Sequence, residues 1–156
     1  MKIHGTNCIP IIHYSNKNPE IILIANYRPP AKSFCLEFPG GYVESEDYEE
    51  EAKRETLEET GYIIEKIESI PNPVTYSDPW RSNESIHTFV GRVDGDKREA
   101  YSGQNLEEDE NIRVYRLPLD KNLLKNINAL AKQQNYVIEK NVWTTALGIV
   151  MKDILK

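Results

Sequence analysis

The chain has 156 residues, 39% of them hydrophobic and 28% charged, with a formal charge of −6. That length fits one domain, residues 1–156, able to bury a sizeable core, and the composition is that of an ordinary globular protein. No run approaches the roughly 18 apolar residues of a membrane span, and an acid excess argues against a general nucleic-acid binder.

Met1-Lys2-Ile3-His4-Gly5 lacks the apolar stretch of a secretory signal. Strands are predicted over Thr6–Tyr14 and Glu20–Tyr27, both rich in Ile and joined by the turn Ser15-Asn16-Lys17-Asn18-Pro19. Arg28-Pro29-Pro30 stops the second strand, because proline cannot donate to a ladder. A short strand, Cys35–Phe38, runs into the loop Pro39-Gly40-Gly41, and a helix is predicted from Glu46 to Thr60 with Gly61 as its stop. Tyr62–Ile70 and Ser85–Val93 read as strands around a loop with Pro71, Pro73, Asp78, Pro79 and Trp80. A turn-rich stretch from Gly95 to Glu110 leads to a strand over Asn111–Leu117, then helices over Leu119–Gln134 and Glu139–Leu155. The last helix carries an apolar face with Val142, Trp143, Ala146, Leu147, Val150 and Ile154, and Trp143 is expected in the core. Strands with one early helix and two late ones form an α/β layered domain. Two cysteines, Cys8 and Cys35, make no disulfide framework and read as reduced thiols of a cytoplasmic protein.

The acidity is concentrated. Glu44 to Glu59 contains nine acids and two bases, a local charge of −7 that leaves the rest of the chain at +1. On a helix of 3.6 residues per turn, Glu51, Glu55, Glu58 and Glu59 fall within an arc of about 100°. Like charges at i,i+3 and i,i+4 each cost about 0.2–0.5 kcal/mol. A divalent cation reverses that sign, since hard oxygen ligands on one face suit Mg²⁺ or Mn²⁺; a merely solvated acidic face is the other reading of such a run.

The order of residues goes further. Pro39-Gly40-Gly41, then Glu46, then Arg54-Glu55-Thr56-Leu57-Glu58-Glu59-Thr60-Gly61-Tyr62 resembles the signature of the Nudix hydrolases, with Thr56 where that signature has an apolar residue. The resemblance implies an α/β/α sandwich with a mixed β-sheet between helices, and hydrolysis of a nucleoside diphosphate linked to another group. It assigns metal binding to Glu55, Glu58 and Glu59, and to Arg54 the orienting of those acids by ion pairing. The motif's five-residue gap counts from Gly40, the expected backbone metal ligand, with Gly41 as the alternative.

The flanking residues Tyr27-Arg28-Pro29-Pro30, Leu36-Glu37-Phe38 and Tyr76-Ser77-Asp78-Pro79 look like the ADP-ribose/ADP-sugar pyrophosphatase branch. That likeness implies Mg²⁺-dependent cleavage of a nucleotide sugar into AMP and a sugar phosphate, with Arg28 on the diphosphate and Glu37 in the substrate site. It points to Glu110 as general base, with Glu108 and Asp109 as substitutes; a flexible acidic loop, and for Arg28 a surface arginine at a strand end, are the other readings. Trp80 and Arg81 are placed where a loop reaches an adenine ring, with ordinary loop packing as the alternative for Trp80. Members of this branch carry an N-terminal segment that exchanges strands in a homodimer and clamps adenine. The match here starts near Thr6, so the expectation is that this segment is largely absent. The competing expectations are hydrolysis of other nucleoside diphosphate derivatives, such as oxidised nucleotides or dinucleotides, and a nucleotide-sensing module without turnover.

Overall fold

The computed structural model describes residues 4–43 and 45–155; Glu44, counted in the acidic segment, lies outside the described residues. Nine strands form one mixed sheet among them: β1 (His4–His13), β2 (Glu20–Arg28), β3 (Ser33–Glu37), β4 (Gly40–Tyr42), β5 (Lys66–Ile67), β6 (Thr75–Tyr76), β7 (Ser85–Asp94), β8 (Ile112–Pro118) and β9 (Val137–Ile138). Three helices accompany them: α1 (Tyr48–Thr60), α2 (Leu123–Gln134) and α3 (Lys140–Ile154).

The main path across the sheet is β5-β7-β1-β2-β3-β9, with β4 on β1, β6 on β7 and β8 on β2. Strand β1 runs parallel to β7 over its whole length, from His4 opposite Ser85 to His13 opposite Asp94. On its other edge β1 pairs with β4 at Gly5–Asn7 and with β2 at Ile11–Ile12. One strand therefore carries the glycine turn at one end and the sheet's centre at the other.

Residues Ile21–Ala25 of β2 are buried without interruption, as expected of a strand covered on both faces. Their alternation sorts them between two cores. Ile21, Leu23 and Ala25 pack with Leu36, Phe38 and residues of α2 and α3, including Leu123, Ile127, Val142 and Ala146. Ile22 turns the other way, to Cys8, Ile12, Val93, Ile64 and Ala52 of α1. The result is the expected layering of helix, sheet and helices.

Three expectations need correction. The strand expected over Tyr62–Ile70 shrinks to Lys66–Ile67, plus a single bridge from Tyr62 to Tyr101, and Pro39-Gly40-Gly41 is partly strand because Gly40 and Gly41 pair with β1. Trp143 is 37% exposed rather than core. The apolar stripe of α3 is wider than the face that docks: Val142 and Ala146 are buried, while Trp143, Leu147, Met151 and Ile154 stay at the surface.

Candidate active site

Helix α1 is built to hold its acids at one place. Asp47 caps it, accepting from the Glu50 N–H at 3.2 Å, and Glu49, Glu50 and Glu51 sit in the first turn, where the helix dipole favours them. At the other end Gly61 adopts φ 77°, and its N–H caps the Leu57 carbonyl. A side chain at Gly61 would also strike Gly103 and Tyr101, at 2.7 Å from each. Thr56, the residue that departs from an apolar pattern, is fully buried and sends its hydroxyl to the Ala52 carbonyl at 2.7 Å. That internal hydrogen bond lets a hydroxyl occupy a core position.

Arg54 answers the repulsion between the carboxylates. Its Nη2 bonds Glu51 Oε2 at 2.8 Å and Glu55 Oε1 at 2.5 Å, while Nη1 bonds Glu58 Oε2 at 2.5 Å. Those carboxylates hold the Arg54 guanidinium pKa above its ordinary value, through the Glu51 hydrogen bond first. Glu59 takes no part in this cluster. It is buried, and its Oε2 accepts from the Gly40 N–H at 2.8 Å. Burial first, and then the charges of Glu55, Glu110 and Glu37, push the Glu59 carboxyl up to about 8 against the Gly40 hydrogen bond. Glu55 is raised too, again chiefly by burial.

Gly41 makes room for one of these acids, and Gly40 for the close approach of β1. A Cβ on Gly41 would lie 2.8 Å from Glu55 Oε1 and 2.9 Å from its Cδ. A Cβ on Gly40 would run into the Thr6 carbonyl and lie 2.7 Å from Asn7 Cα. Successive strand residues alternate in the edge they present. Pro39 accepts from Cys8 and Val43 donates to His4, so the N–H of the intervening Gly40 faces away from β1, toward α1.

These groups line one cleft of about 830 Å³, within the range of ligand pockets. Of the residues singled out in the sequence, Arg28, Glu37, Gly40, Arg54, Glu55, Glu59 and Glu110 all line it. Arg28 and Glu37 form a two-pronged pair across β2 and β3, Nε to Oε1 at 2.7 Å and Nη2 to Oε2 at 2.6 Å. Glu37 is thereby a buried acid with a partner, and Arg28 keeps its outer side exposed. In the loop before β8, Glu110 and Glu107 line the cleft, whereas Glu108 and Asp109 do not.

Other expected residues fall elsewhere. Trp80 is 79% exposed, with the Arg81 guanidinium stacked 5.2 Å from its ring, and neither residue lines the cleft. Glu58 is not among the lining residues; its carboxylate is turned to Arg54. The cleft also contains groups to which the sequence assigned no role. Asn7 Oδ1 and Ser77 Oγ are buried in its wall without a hydrogen-bond partner among the described residues, and Glu139 spends one carboxylate oxygen capping α3. The pairing of β1 with β4 and of β6 with β7, and the docking of α3 beside β3, bring them there.

Among the described residues no three His, Cys, Asp or Glu side chains converge as a ready-made cation site. Arg54 holds the Glu55 and Glu58 carboxylates by hydrogen bonds. The donor set still fits a hard divalent cation: carboxylate oxygens on adjoining turns, one of them buried among like charges that a cation would offset.

The model of the NUDIX domain matches residues 7–139. The chain belongs to the Nudix family. It is 34% identical over 150 residues to the ADP-sugar pyrophosphatase of Mus musculus, covering 95% of this chain and 66% of that protein. Over 152 residues it is 30% identical to the ADP-ribose pyrophosphatase of Saccharomyces cerevisiae, covering 96% and 64%. This Nudix chain thus spans just under two thirds of the length of those relatives. A solved structure from work on MutT of Aliivibrio salmonicida and Vibrio cholerae shares the fold, with TM-score 0.58 and 21% identity over 97% of this chain and 99% of that one. Nudix hydrolases generally need a divalent metal such as Mg²⁺. No helix among the described residues is long and apolar enough to cross a membrane.

Proposed function

We propose that residues 1–156 act as a single Nudix domain that hydrolyses the pyrophosphate bond of ADP-ribose or a related ADP-sugar, giving AMP and a sugar phosphate. The observation that carries this reading is the meeting of Glu55, Glu59 and Glu110 with Arg28 and Arg54 on one cleft. The named activities of the mouse and yeast relatives support the choice of substrate.

In this reading Glu55, Glu58 and Glu59 hold Mg²⁺ or Mn²⁺, with the Gly40 carbonyl as a further oxygen donor. The cation, when bound, supplies charge neutralisation and Lewis acidity at the diphosphate. Arg54 would keep Glu55 and Glu58 ordered through its hydrogen bonds, while the Gly40 N–H holds Glu59. Arg28, anchored by Glu37, presents its free side to the diphosphate oxygens, and the planar guanidinium suits that contact. Glu110, on the cleft wall, accepts the proton of the attacking water. Trp80 and Arg81, outside the cleft, serve the adenine only if their loop moves inward. The protein acts on a small nucleotide sugar rather than on nucleic acid or a membrane.

A panel of nucleotide sugars, dinucleotides and oxidised nucleotides, incubated with the protein and Mg²⁺ and read by chromatography, tests the assignment. AMP and ribose 5-phosphate from ADP-ribose, ahead of the other substrates, are expected. Cleavage of the others with ADP-ribose untouched overturns the substrate, and no cleavage of any of them overturns the activity.

A further inference from the structure

The segment between Ala100 and β8 carries Glu107 and Glu110 to the cleft, yet it has no regular structure of its own past Tyr101. What fixes it is the C-terminal end of α1. The Ser102 N–H donates to the Gly61 carbonyl at 2.9 Å and the Asn105 N–H to the Glu58 carbonyl at 2.8 Å. These are carbonyls that a helix end leaves without internal partners. Between them stands Gln104. Its Nε2 donates to the Glu59 carbonyl at 2.7 Å and to the Ile112 carbonyl at 3.1 Å.

That geometry closes a neck. Gln104 lies on the incoming stem of the loop, Ile112 is the first residue of β8 on the outgoing stem, and Glu59 belongs to the acidic helix. One amide nitrogen has two hydrogens, and both are used. Beyond the neck the loop is closed again, since the Glu110 carboxylate accepts from the Glu107 N–H at 2.8 Å and the Glu110 N–H donates to the Glu107 carbonyl at 3.1 Å. Gln104 itself does not line the main cleft; it borders a separate hollow of about 330 Å³ with Tyr62, Tyr101 and Arg116.

We propose that Gln104 is a positioning residue, which sets the acidic loop in register with the carboxylates of α1 by joining both stems of the loop to the backbone of Glu59. The inference rests on the reading of Glu110 as the proton acceptor. Loss of its two hydrogen bonds leaves Glu110 in the protein but out of register, and a misplacement of about 1 Å is worth roughly 100-fold in rate.

The test uses Gln104→Met, of similar shape without donors, and Gln104→Asn, with the donors one methylene shorter. For ADP-ribose with Mg²⁺, kcat is expected to fall roughly 10- to 100-fold while KM stays within about twofold. Gln104→Met combined with Glu110→Gln is expected to be no slower than Glu110→Gln alone, because both changes remove one function. Amide hydrogen exchange gives a readout that needs no substrate: the Glu107 and Glu110 amides are expected to exchange at least about tenfold faster in Gln104→Met, with mid-helix α1 amides unchanged. Wild-type kcat in a folded Gln104→Met protein, or losses that multiply in the double variant, overturn the proposal. Unchanged exchange in the loop overturns it whether or not ADP-ribose is cleaved. If the methionine variant does not fold, the asparagine variant is held to the same outcomes. An inactive wild type whose Gln104→Met loop still loosens contradicts the substrate reading alone.

Discussion

The Gly40 N–H donates to the Glu59 carboxylate at 2.8 Å, across nineteen residues of sequence. The glycine turn and the acidic helix are therefore one unit, because the bond gives Glu59 a partner in a place where burial and neighbouring charge resist its ionisation. The two glycines of that turn differ in what crowds them, and their substitutions should differ in kind. Gly40→Ala meets the backbone of β1 and is expected to destabilise the fold by about 1–3 kcal/mol. Gly41→Ala meets the movable end of Glu55 and is expected to cost little stability, within about 1 kcal/mol, but at least about tenfold in turnover. Urea denaturation and initial rates on the same preparations separate the two.

Metal-free stability should depend on pH through Glu59. Its folded pKa, about 8, lies above the ordinary 4.5, so its contribution is fully present below pH 4.5 and is lost as pH rises through about 8. The loss at pH 8 is on the order of 2–4 kcal/mol. Glu59→Gln is expected to unfold at higher denaturant than wild type at pH 8 in EDTA, and at nearly the same denaturant at pH 4.5. A Glu59→Gln protein less stable than wild type at pH 8 without metal would count against this account of the buried acid.

Arg28 and Glu37 should not be equivalent as partners. Glu37 is nearly buried and Arg28 half-exposed, so Arg28→Ala strands a buried charge whereas Glu37→Gln leaves the arginine in water. The expected destabilisation is about 1–2 kcal/mol larger for Arg28→Ala, discounted for the solvent around the arginine. Thermal unfolding at pH 7 measures it, and equal losses would show that the pair is not what holds Glu37.

Cys8 and Cys35 are both buried, and burial pushes each thiol up to about 12. Thiolate is the reactive form, so both should resist a maleimide in native protein at pH 7.5 and react within minutes in 6 M urea. Prompt labelling of the native protein would mean that the sheet opens locally around β1 or β3.

The acidic helix was legible because its chemistry demands particular residue types at fixed helical spacing. Arg54, Glu55 and Glu59 can be read from the spacing of the signature, and Gly61 from the need for a left-handed stop. The two long strands β1 and β2 show in their Ile-rich runs. What escaped has a physical cause in each case. Strands β4, β6 and β9 have two or three residues, too few to show a period. Asn7 and Glu139 reach the cleft through strand pairing and helix docking between distant segments, which no local pattern records. Trp143 stays at the surface despite its place on the apolar stripe of α3, because such a stripe tells which face can be buried, not how much of it is. Trp80 sits on a loop whose path depends on contacts rather than on its own sequence.

The central claim is that the acids of α1 serve a divalent cation in cleaving a diphosphate, and its most direct test is AMP formation from ADP-ribose by wild type and Glu59→Gln, with Mg²⁺ and with EDTA. The account predicts AMP from the wild type only when Mg²⁺ is present, and a fall of at least about 100-fold in Glu59→Gln. AMP formed at the same rate in EDTA, or by Glu59→Gln at the wild-type rate, would contradict it.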